Sequence, residues 1–374
     1  MKVKTRSLIT ILFAVTLLLI MGSITAFGAD EGVVVSASDG AEESVTINSD
    51  ITTETADALT VTADGEGSSA EVTVNGDIES DEGHGIVISA DGGDASVTVD
   101  GEVEADEDAL EIHADNGGNV TVSIDGELES DEDDGIDANA DNGSSISVVV
   151  DGDVEAEEEV GLDLTVSGGS TIDVVVTGEV EGGDAGIVTN ACTPGCDGTV
   201  NVTVWKVNVK ENSAGTAFVA LTDKGAVNSA FEKTINYIIR IADPDIISLP
   251  GLVKGKYGYT AHEGDVILVK LDVPDGREVE HVYADEDQEL ELIKGADGNY
   301  YVKVPKGGGV ELSVELDDDD DDDDFCYVAM TRTTPKTGDR QGLTLWTGIM
   351  LTAMMLLFLM LRSRLSEDRN FDAI

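Results

Sequence analysis

The stretch Val72-Thr73-Val74-Asn75-Gly76-Asp77-Ile78 decides the fold, because the chain repeats its pattern four more times. The later copies are Val97–Val103, Val122–Leu128, Val148–Val154 and Val174–Val180. Their glycines, Gly76, Gly101, Gly126, Gly152 and Gly178, are separated by 25, 25, 26 and 26 residues. Self-similarity at a nearly fixed period of this length is typical of repeat proteins, in which each unit stacks on the next.

Two further markers keep the same phase between these copies. One is a small residue before an aliphatic residue, as at Gly85-Ile86, Ala109-Leu110, Gly135-Ile136, Gly161-Leu162 and Gly186-Ile187. The other is a polar turn, at Asp91-Gly92, Asp115-Asn116-Gly117 and Asp141-Asn142-Gly143. Short β-branched segments lie between Gly, Asn and Asp residues, which are expected to supply positive φ at turns.

We therefore predict an all-β protein whose residues 44–205 form a parallel β-solenoid of six or seven coils, each with two or three strands. Inward Val, Ile and Leu would stack from coil to coil, since no single coil can bury its own apolar face. A series of β-hairpins packed as a sandwich is the alternative that the same strands allow.

Charge is the most unusual property of this array. Residues 30–205 contain 46 Asp and Glu and no Lys or Arg, within a chain of net charge −56. Such a surface repels nucleic acid, which we exclude as a direct partner. Stacked carboxylates ~4.8 Å apart would cost ~0.9 kcal/mol per pair in water. Either the acidic clusters splay in loops, or cations occupy the columns.

The cofactor expected here is therefore either none or loosely bound Ca²⁺, which prefers oxygen ligands. The candidate ligands are the consecutive acids Asp131, Glu132, Asp133 and Asp134. Solvated loops with no defined site are the alternative. His84 and His113 lack partners at repeated positions and are interpreted as surface residues.

We predict no enzymatic activity. Parallel β-helices that cleave acidic polysaccharides need Arg or Lys to hold the sugar acid, and the array has neither. A surface carbohydrate-active enzyme using an Asp/Glu pair remains the runner-up, although no pair stands out among so many acids.

Three cysteines permit at most one disulfide. Cys192 and Cys196 flank Thr193-Pro194-Gly195, a turn sequence, and could close a small loop as a disulfide. Free thiols and a metal site are the alternatives. Cys326 is left over without an assigned role.

Lysines return after Trp205, and residues 206–316 are predicted to hold five or six short strands in a β-sandwich. The ending Val304-Pro305-Lys306-Gly307-Gly308-Gly309-Val310 resembles small Ig-like or bacterial-repeat modules of Firmicute surface proteins. That resemblance implies a spacer or binding module. The following residues 317–333 begin with eight aspartates, a like-charged run expected to stay extended as a spacer.

Both ends of the chain indicate export. Residues 1–28 combine basic, apolar and small-residue regions, as a secretory signal peptide does, and residues 29–43 are expected to be a lead-in. Residues 343–361 are apolar and long enough to cross a bilayer as a helix. A cationic stop and cytoplasmic tail follow at 362–374.

Immediately before this span lies Thr334-Pro335-Lys336-Thr337-Gly338. Pentapeptide, apolar span and arginines in this order resemble the sorting signal of sortase-anchored surface proteins of Gram-positive bacteria, whose pattern is L-P-x-T-G. Thr334 stands where that pattern has Leu. The resemblance implies cleavage between Thr337 and Gly338 by a sortase transpeptidase and attachment of Thr337 to peptidoglycan. An ordinary single-span membrane protein with an incidental P-K-T-G turn is the alternative.

Together these features predict a non-catalytic, cell-wall-anchored surface protein, acting as an adhesin or structural stalk toward an unidentified host or matrix ligand. The precursor would cross the plasma membrane once, through its C-terminal helix, before processing. A surface divalent-cation-binding protein held only by that helix is a further alternative.

Overall fold

A computed structural model describes residues 32–191, 197–209, 231–284, 290 and 292–317. Every regular element in this part of the chain is a β-strand, and we number the strands in chain order. None of its residues forms a helix long and apolar enough to cross a membrane. The predicted signal peptide, sorting motif and span lie outside the described residues, as does the aspartate run apart from Asp317.

The described part begins with a parallel β-solenoid of about seven turns, so the predicted fold class is confirmed for this part. Each coil contributes strands to three rows. The first row is β1 (Val33–Ser38), β4 (Leu59–Asp64), β7 (Ile86–Asp91), β10 (Leu110–Asp115), β13 (Ile136–Ala140), β16 (Val160–Val166) and β18 (Ala185–Ala191). Neighbours in this row pair in parallel along its whole length.

The other two rows follow at each coil. The second row is β2 (Glu42–Ile47), β5 (Ser69–Asn75), β8 (Asp94–Asp100), β11 (Asn119–Asp125), β14 (Ser145–Val150), and the first parts of β17 (Ser170–Gly182) and β19 (Gly198–Val209). The third row is β3 (Ile51–Thr53), β6 (Ile78–Ser80), β9 (Val103–Ala105), β12 (Leu128–Ser130), β15 (Val154–Ala156), and the ends of β17 and β19.

The core is a set of stacked inward side chains. Val61, Ile88, Ile112, Ala138 and Leu164 occupy paired positions of successive coils, and all five are fully buried. Burying one Val, Leu or Ile contributes about 1.5–3 kcal/mol. Because burial alternates strictly along the strands, a slip of one residue would move the acids inward, and the register is therefore strongly specified.

The repeated glycines do not have the role that the sequence indicated. Gly76, Gly126, Gly152 and Gly178 do not adopt positive φ. They are needed because the preceding coil approaches closely: a Cβ on Gly126 would lie 2.1 Å from the carbonyl oxygen of Gly101. The expectation of positive φ holds instead at the polar turns, where Asn116 and Asn142 have φ of 53° and 54°.

The first coil starts earlier than the predicted array. β1 begins at Val33, inside the segment 29–43 assigned to a lead-in, and Val33 pairs with Leu59. Val33, Val35 and Ala37 are buried in the manner of later coils. The boundary was misplaced because this coil lacks the Asn-Gly marker, although it keeps the apolar alternation.

The chain after the solenoid is a smaller all-β module. β20 (Phe231–Ile241) runs parallel to β19 and adds another strand to the second row. The remaining strands are β21 (Ile247–Ser248), β22 (Lys254–Gly255), β23 (Gly258–Ala261), β24 (Val266–Leu271), β25 (Val279–Tyr283), β26 (Leu292–Lys294), β27 (Tyr300–Lys303) and β28 (Glu311–Leu316). Most of them pair antiparallel.

The module is joined tightly to the last coil. The Arg240 guanidinium lies 3.5 Å from the ring centroid of Trp205 and donates a 2.9 Å hydrogen bond to the carbonyl of Thr177. Lys206 forms a 3.2 Å ion pair with Glu179 of the preceding coil. Lys206, the first basic residue after the array, and Arg240 thus both form contacts where the two parts meet.

Candidate functional site

A ladder of five glutamates runs along the third row of strands. Glu79, Glu104, Glu129, Glu155 and Glu181 occupy paired central positions of successive coils. Their neighbours in each strand point inward and are buried, so every glutamate faces out. Strand spacing in a sheet places these positions ~4.8 Å apart.

Burial, and after it repulsion from neighbouring carboxylates, raises the pKa of two glutamates of this ladder. Partial desolvation raises the pKa of Glu104, and the carboxylates of Glu79, Asp131, Asp81 and Glu102 raise it further. The pKa of Glu129 is raised in the same way, by desolvation first and then by Glu155, Glu104, Asp131 and Glu157. The ladder is therefore a strip of concentrated negative potential.

Elsewhere the solenoid separates its carboxylates with neutral donors. The amide of Asn119 donates to Asp94 at the paired position of the preceding coil, at 2.8 Å. Others of the same kind are Asn116 to Asp91, Asn142 to Asp115, Thr177 to Asp151 and Asn201 to Asp173, at 2.6–2.7 Å. Besides splayed loops and bound cations, these hydrogen bonds are therefore a third way in which repulsion between stacked carboxylates is reduced.

A second acidic column occupies the corner before the first row of strands. Here an aspartate side chain accepts a hydrogen bond from the backbone N–H of the equivalent residue one coil later. Asp108 accepts from Asp134 at 3.0 Å, and Asp134 accepts from Val160 at 2.9 Å. Asp57 accepts a longer one, 3.3 Å, from His84. Such caps satisfy corner amides that no strand pairs.

His84 occupies one position of this column, and its interpretation as an unpartnered surface residue is wrong. Its side chain is 23% exposed. Nδ1 lies 3.0 Å from carboxylate oxygens of both Asp57 and Glu107, and Nε2 lies 3.6 Å from Asp108 and 3.7 Å from Glu111. His113, by contrast, is half exposed, as expected, and contacts Glu111 at 3.0 Å.

Partial burial lowers the pKa of His84, but the hydrogen bond with Asp57 and the carboxylates of Glu111, Asp108 and Glu107 outweigh it. The pKa of His84 therefore lies above its usual value. Burial also raises the pKa of Asp108 to about 7, with Asp133 adding to the effect.

Two further carboxyls in this region have pKa values of about 7. Burial raises both, and Asp108 adds to the effect at Asp134, as Asp163 does at Asp137. Asp137 and Asp163 are paired residues of β13 and β16. Some of these three carboxyls are therefore protonated near neutral pH, so this region carries less charge than its composition suggests.

The predicted cation-binding run Asp131–Asp134 does not form one cluster. Asp133 and Asp134 lie with Asp108, whereas Asp131 lies with Glu129 and Glu157; in each group the oxygens are within 4.8 Å of one another. Glu132 belongs to neither group and is exposed. Consecutive residues at a corner point in different directions, so adjacency in sequence was a poor guide.

A third group, His84, Asp108 and Glu111, has ligand atoms within 4.8 Å of one another. It was missed because His84 comes from the coil before the one that holds Asp108 and Glu111. Aligning the repeats on Ile86 and Leu110 would have placed His84 in register with Asp108. The predicted sorting motif, Thr334 to Gly338, and the predicted disulfide, Cys192 with Cys196, lie outside the described residues.

No protein-family model matches this chain, and neither a curated protein nor a solved structure does.

Proposed function

We propose that this protein is a non-catalytic surface protein, joined covalently to peptidoglycan by a sortase and acting as an adhesin or structural stalk. The observation that carries the proposal is the order of Pro335-Lys336-Thr337-Gly338, the apolar residues 343–361 and the arginines Arg362 and Arg364. Thr337 would become the attachment point, and the C-terminal span would hold the precursor in the membrane until then.

The geometry of the described part supports a stalk. Seven coils at ~4.8 Å per strand spacing extend about 34 Å along the solenoid, with a core continuous from Val33 to Val207. β20 continues the same row of strands into the following module. We further propose that this module is an Ig-like spacer, with the aspartate run holding it away from the wall.

The anchoring proposal is tested on the mature protein from intact cells. Mass spectrometry of its C-terminal peptides should find none that extend past Thr337. A mature chain that retains residues 339–374 would instead indicate an ordinary single-span membrane protein.

A second candidate function, binding divalent cations, is favoured by the glutamate ladder. Five in-register carboxylates concentrate cations along the third row without requiring a defined site. Millimolar Ca²⁺ should then raise the melting temperature relative to EDTA, and Mg²⁺ should act similarly. Equal melting temperatures in Ca²⁺ and EDTA would contradict this role.

A further inference from the structure

His84 is the one non-acidic residue among the first four positions of the corner column that the structure describes. The paired positions before and after it are Asp57, Asp108 and Asp134, as the registers of the adjoining strands show. Its imidazole thus replaces a carboxylate where the solenoid otherwise stacks acids. The replacement puts a nitrogen ligand among oxygen ligands, a combination that no other described corner of the solenoid provides.

The two ring nitrogens of His84 face different pairs of carboxylates. Nδ1 lies 3.0 Å from both Asp57 and Glu107, close enough to donate its proton there. Nε2 lies 3.6 and 3.7 Å from Asp108 and Glu111, beyond hydrogen-bond distance. In the neutral imidazole, an Nδ1–H donated to these carboxylates leaves the Nε2 lone pair facing Asp108 and Glu111, which is the arrangement of metal-bound histidines.

The spacing around Nε2 suits a small metal ion. With Zn–N and Zn–O bonds of about 2.0–2.2 Å, neighbouring ligands of a tetrahedral centre lie ~3.4 Å apart. The observed separations of 3.6 and 3.7 Å need adjustments of only a few tenths of an ångström. The other oxygen of Asp108 is fixed by the Asp134 N–H, and Asp108 is 6% exposed, so this ligand is already oriented.

We propose that His84 Nε2, Asp108 Oδ2 and Glu111 Oε2 bind one divalent transition-metal ion of the zinc class, with Asp57 and Glu107 orienting the imidazole. One nitrogen and two carboxylate oxygens form a set that zinc accepts, while the imidazole disfavours Ca²⁺ and Mg²⁺. Three protein ligands leave a coordination position for water or a small molecule. The site is independent of wall anchoring and of loose cation accumulation along the glutamate ladder.

The test is calorimetric titration of the purified full-length protein with Zn²⁺ in millimolar Ca²⁺, which occupies the loose acidic surface. The wild-type protein should bind one Zn²⁺ per chain above this background. His84→Gln, which keeps a polar side chain at the corner, should weaken that binding at least about 100-fold. His262→Gln is the matched control, because His262 pairs with Asp265 at 3.5 Å and belongs to none of the described groups of converging metal-ligand atoms, so this variant should bind zinc as the wild type does.

Glu111→Gln provides a second variant if His84→Gln does not fold, as judged by circular dichroism. Glu111 is partly exposed, so glutamine should be tolerated at this position. Zinc binding should weaken by at least about 10-fold, because even the loss of an outer-shell partner of a metal ligand costs about 10- to 100-fold. The proposal is overturned if wild-type protein binds no Zn²⁺ above the Ca²⁺ background. It is equally overturned if folded variants at both positions bind zinc unchanged.

Discussion

Gly126 stacks on Gly101, the equivalent residue one coil earlier, so closely that a Cβ on Gly126 would lie 2.1 Å from the Gly101 carbonyl oxygen. Gly152 stacks on Gly126 with a corresponding separation of 2.2 Å. These contacts explain why the most regular feature of the sequence is a glycine. Glycine recurs at this position because successive coils approach closely there, and not because a turn requires positive φ.

Gly126→Ala should therefore destabilise the protein by about 2–3 kcal/mol, the upper part of the usual range for forcing a methyl group into a packed site. The added atom meets backbone, which cannot rotate away. Thermal melting followed by circular dichroism measures the change.

The control for this substitution is Gly143→Ala. Gly143 has φ of 79° and nothing within 4 Å of its added Cβ, so only backbone strain of about 1–2 kcal/mol is expected. If Gly126→Ala were the milder of the two, close coil stacking would not be the reason for the glycine column.

Glu129→Gln should stabilise the protein at pH 8 and low ionic strength. Glu129 faces Glu104 and Glu155 at paired positions, and removing its charge relieves repulsion worth about 1 kcal/mol. That corresponds to a rise of ~2–4 °C in melting temperature for a domain of this size. In 0.5 M NaCl the gain should shrink, because salt screens exposed charges.

Glu132→Gln removes the same formal charge from the same coil, but Glu132 is exposed and outside the ladder. Its effect on melting should be small. Equal stabilisation by the two variants would mean that net charge, and not the in-register ladder, is responsible.

Acidification should stabilise the fold. Asp134 and Asp137 have pKa values of about 7 in the folded protein and near 3.8 when unfolded. Between these values the folded state binds more protons than the unfolded state, so the free energy of unfolding falls as pH rises. The melting temperature should therefore decrease from about pH 4 to pH 8. A melting temperature that rises over this range would contradict the assignment.

Asp137→Asn should flatten part of this pH dependence. Asp137 is paired with Asp163 of the next coil, and the Asn139 amide donates to Asp137 at 2.9 Å. Replacing the carboxyl removes one group whose pKa is raised by burial, so the variant should melt higher than wild type at pH 8. At pH 4.5 the two should nearly coincide, and a constant difference across pH would point to packing instead.

The period of the repeat was sufficient to predict the solenoid and its inward side chains. Val72, Val97 and Val122 share a phase in the sequence, and alternation then fixes which residues are buried. The strand pairing within residues 206–316, predicted to be an Ig-like sandwich, was harder to predict, because these strands have no repeat that sets which of them are neighbours. β20 in fact joins the solenoid before it turns into the module.

The neighbourhood of His84 could not be predicted from local sequence. Its partners Asp57, Glu107 and Glu111 lie 27 residues before it and 23 and 27 residues after it, and their approach depends on how each corner bends. The hydrogen bonds from Asn and Thr side chains to carboxylates of the preceding coil were not predicted, for a similar reason. Asn116 reaches Asp91 of the preceding coil, which becomes apparent only once the coils are in register.

The central claim, a solenoid stalk tethered to the wall through its C-terminus, is tested most directly by digesting purified cell walls with a muramidase. We predict a peptide ending at Thr337 that carries a covalently linked muropeptide, and loss of this product in Thr337→Ala. Recovery of the whole protein in the membrane fraction, with residues 339–374 intact and no muropeptide attached, would contradict the account.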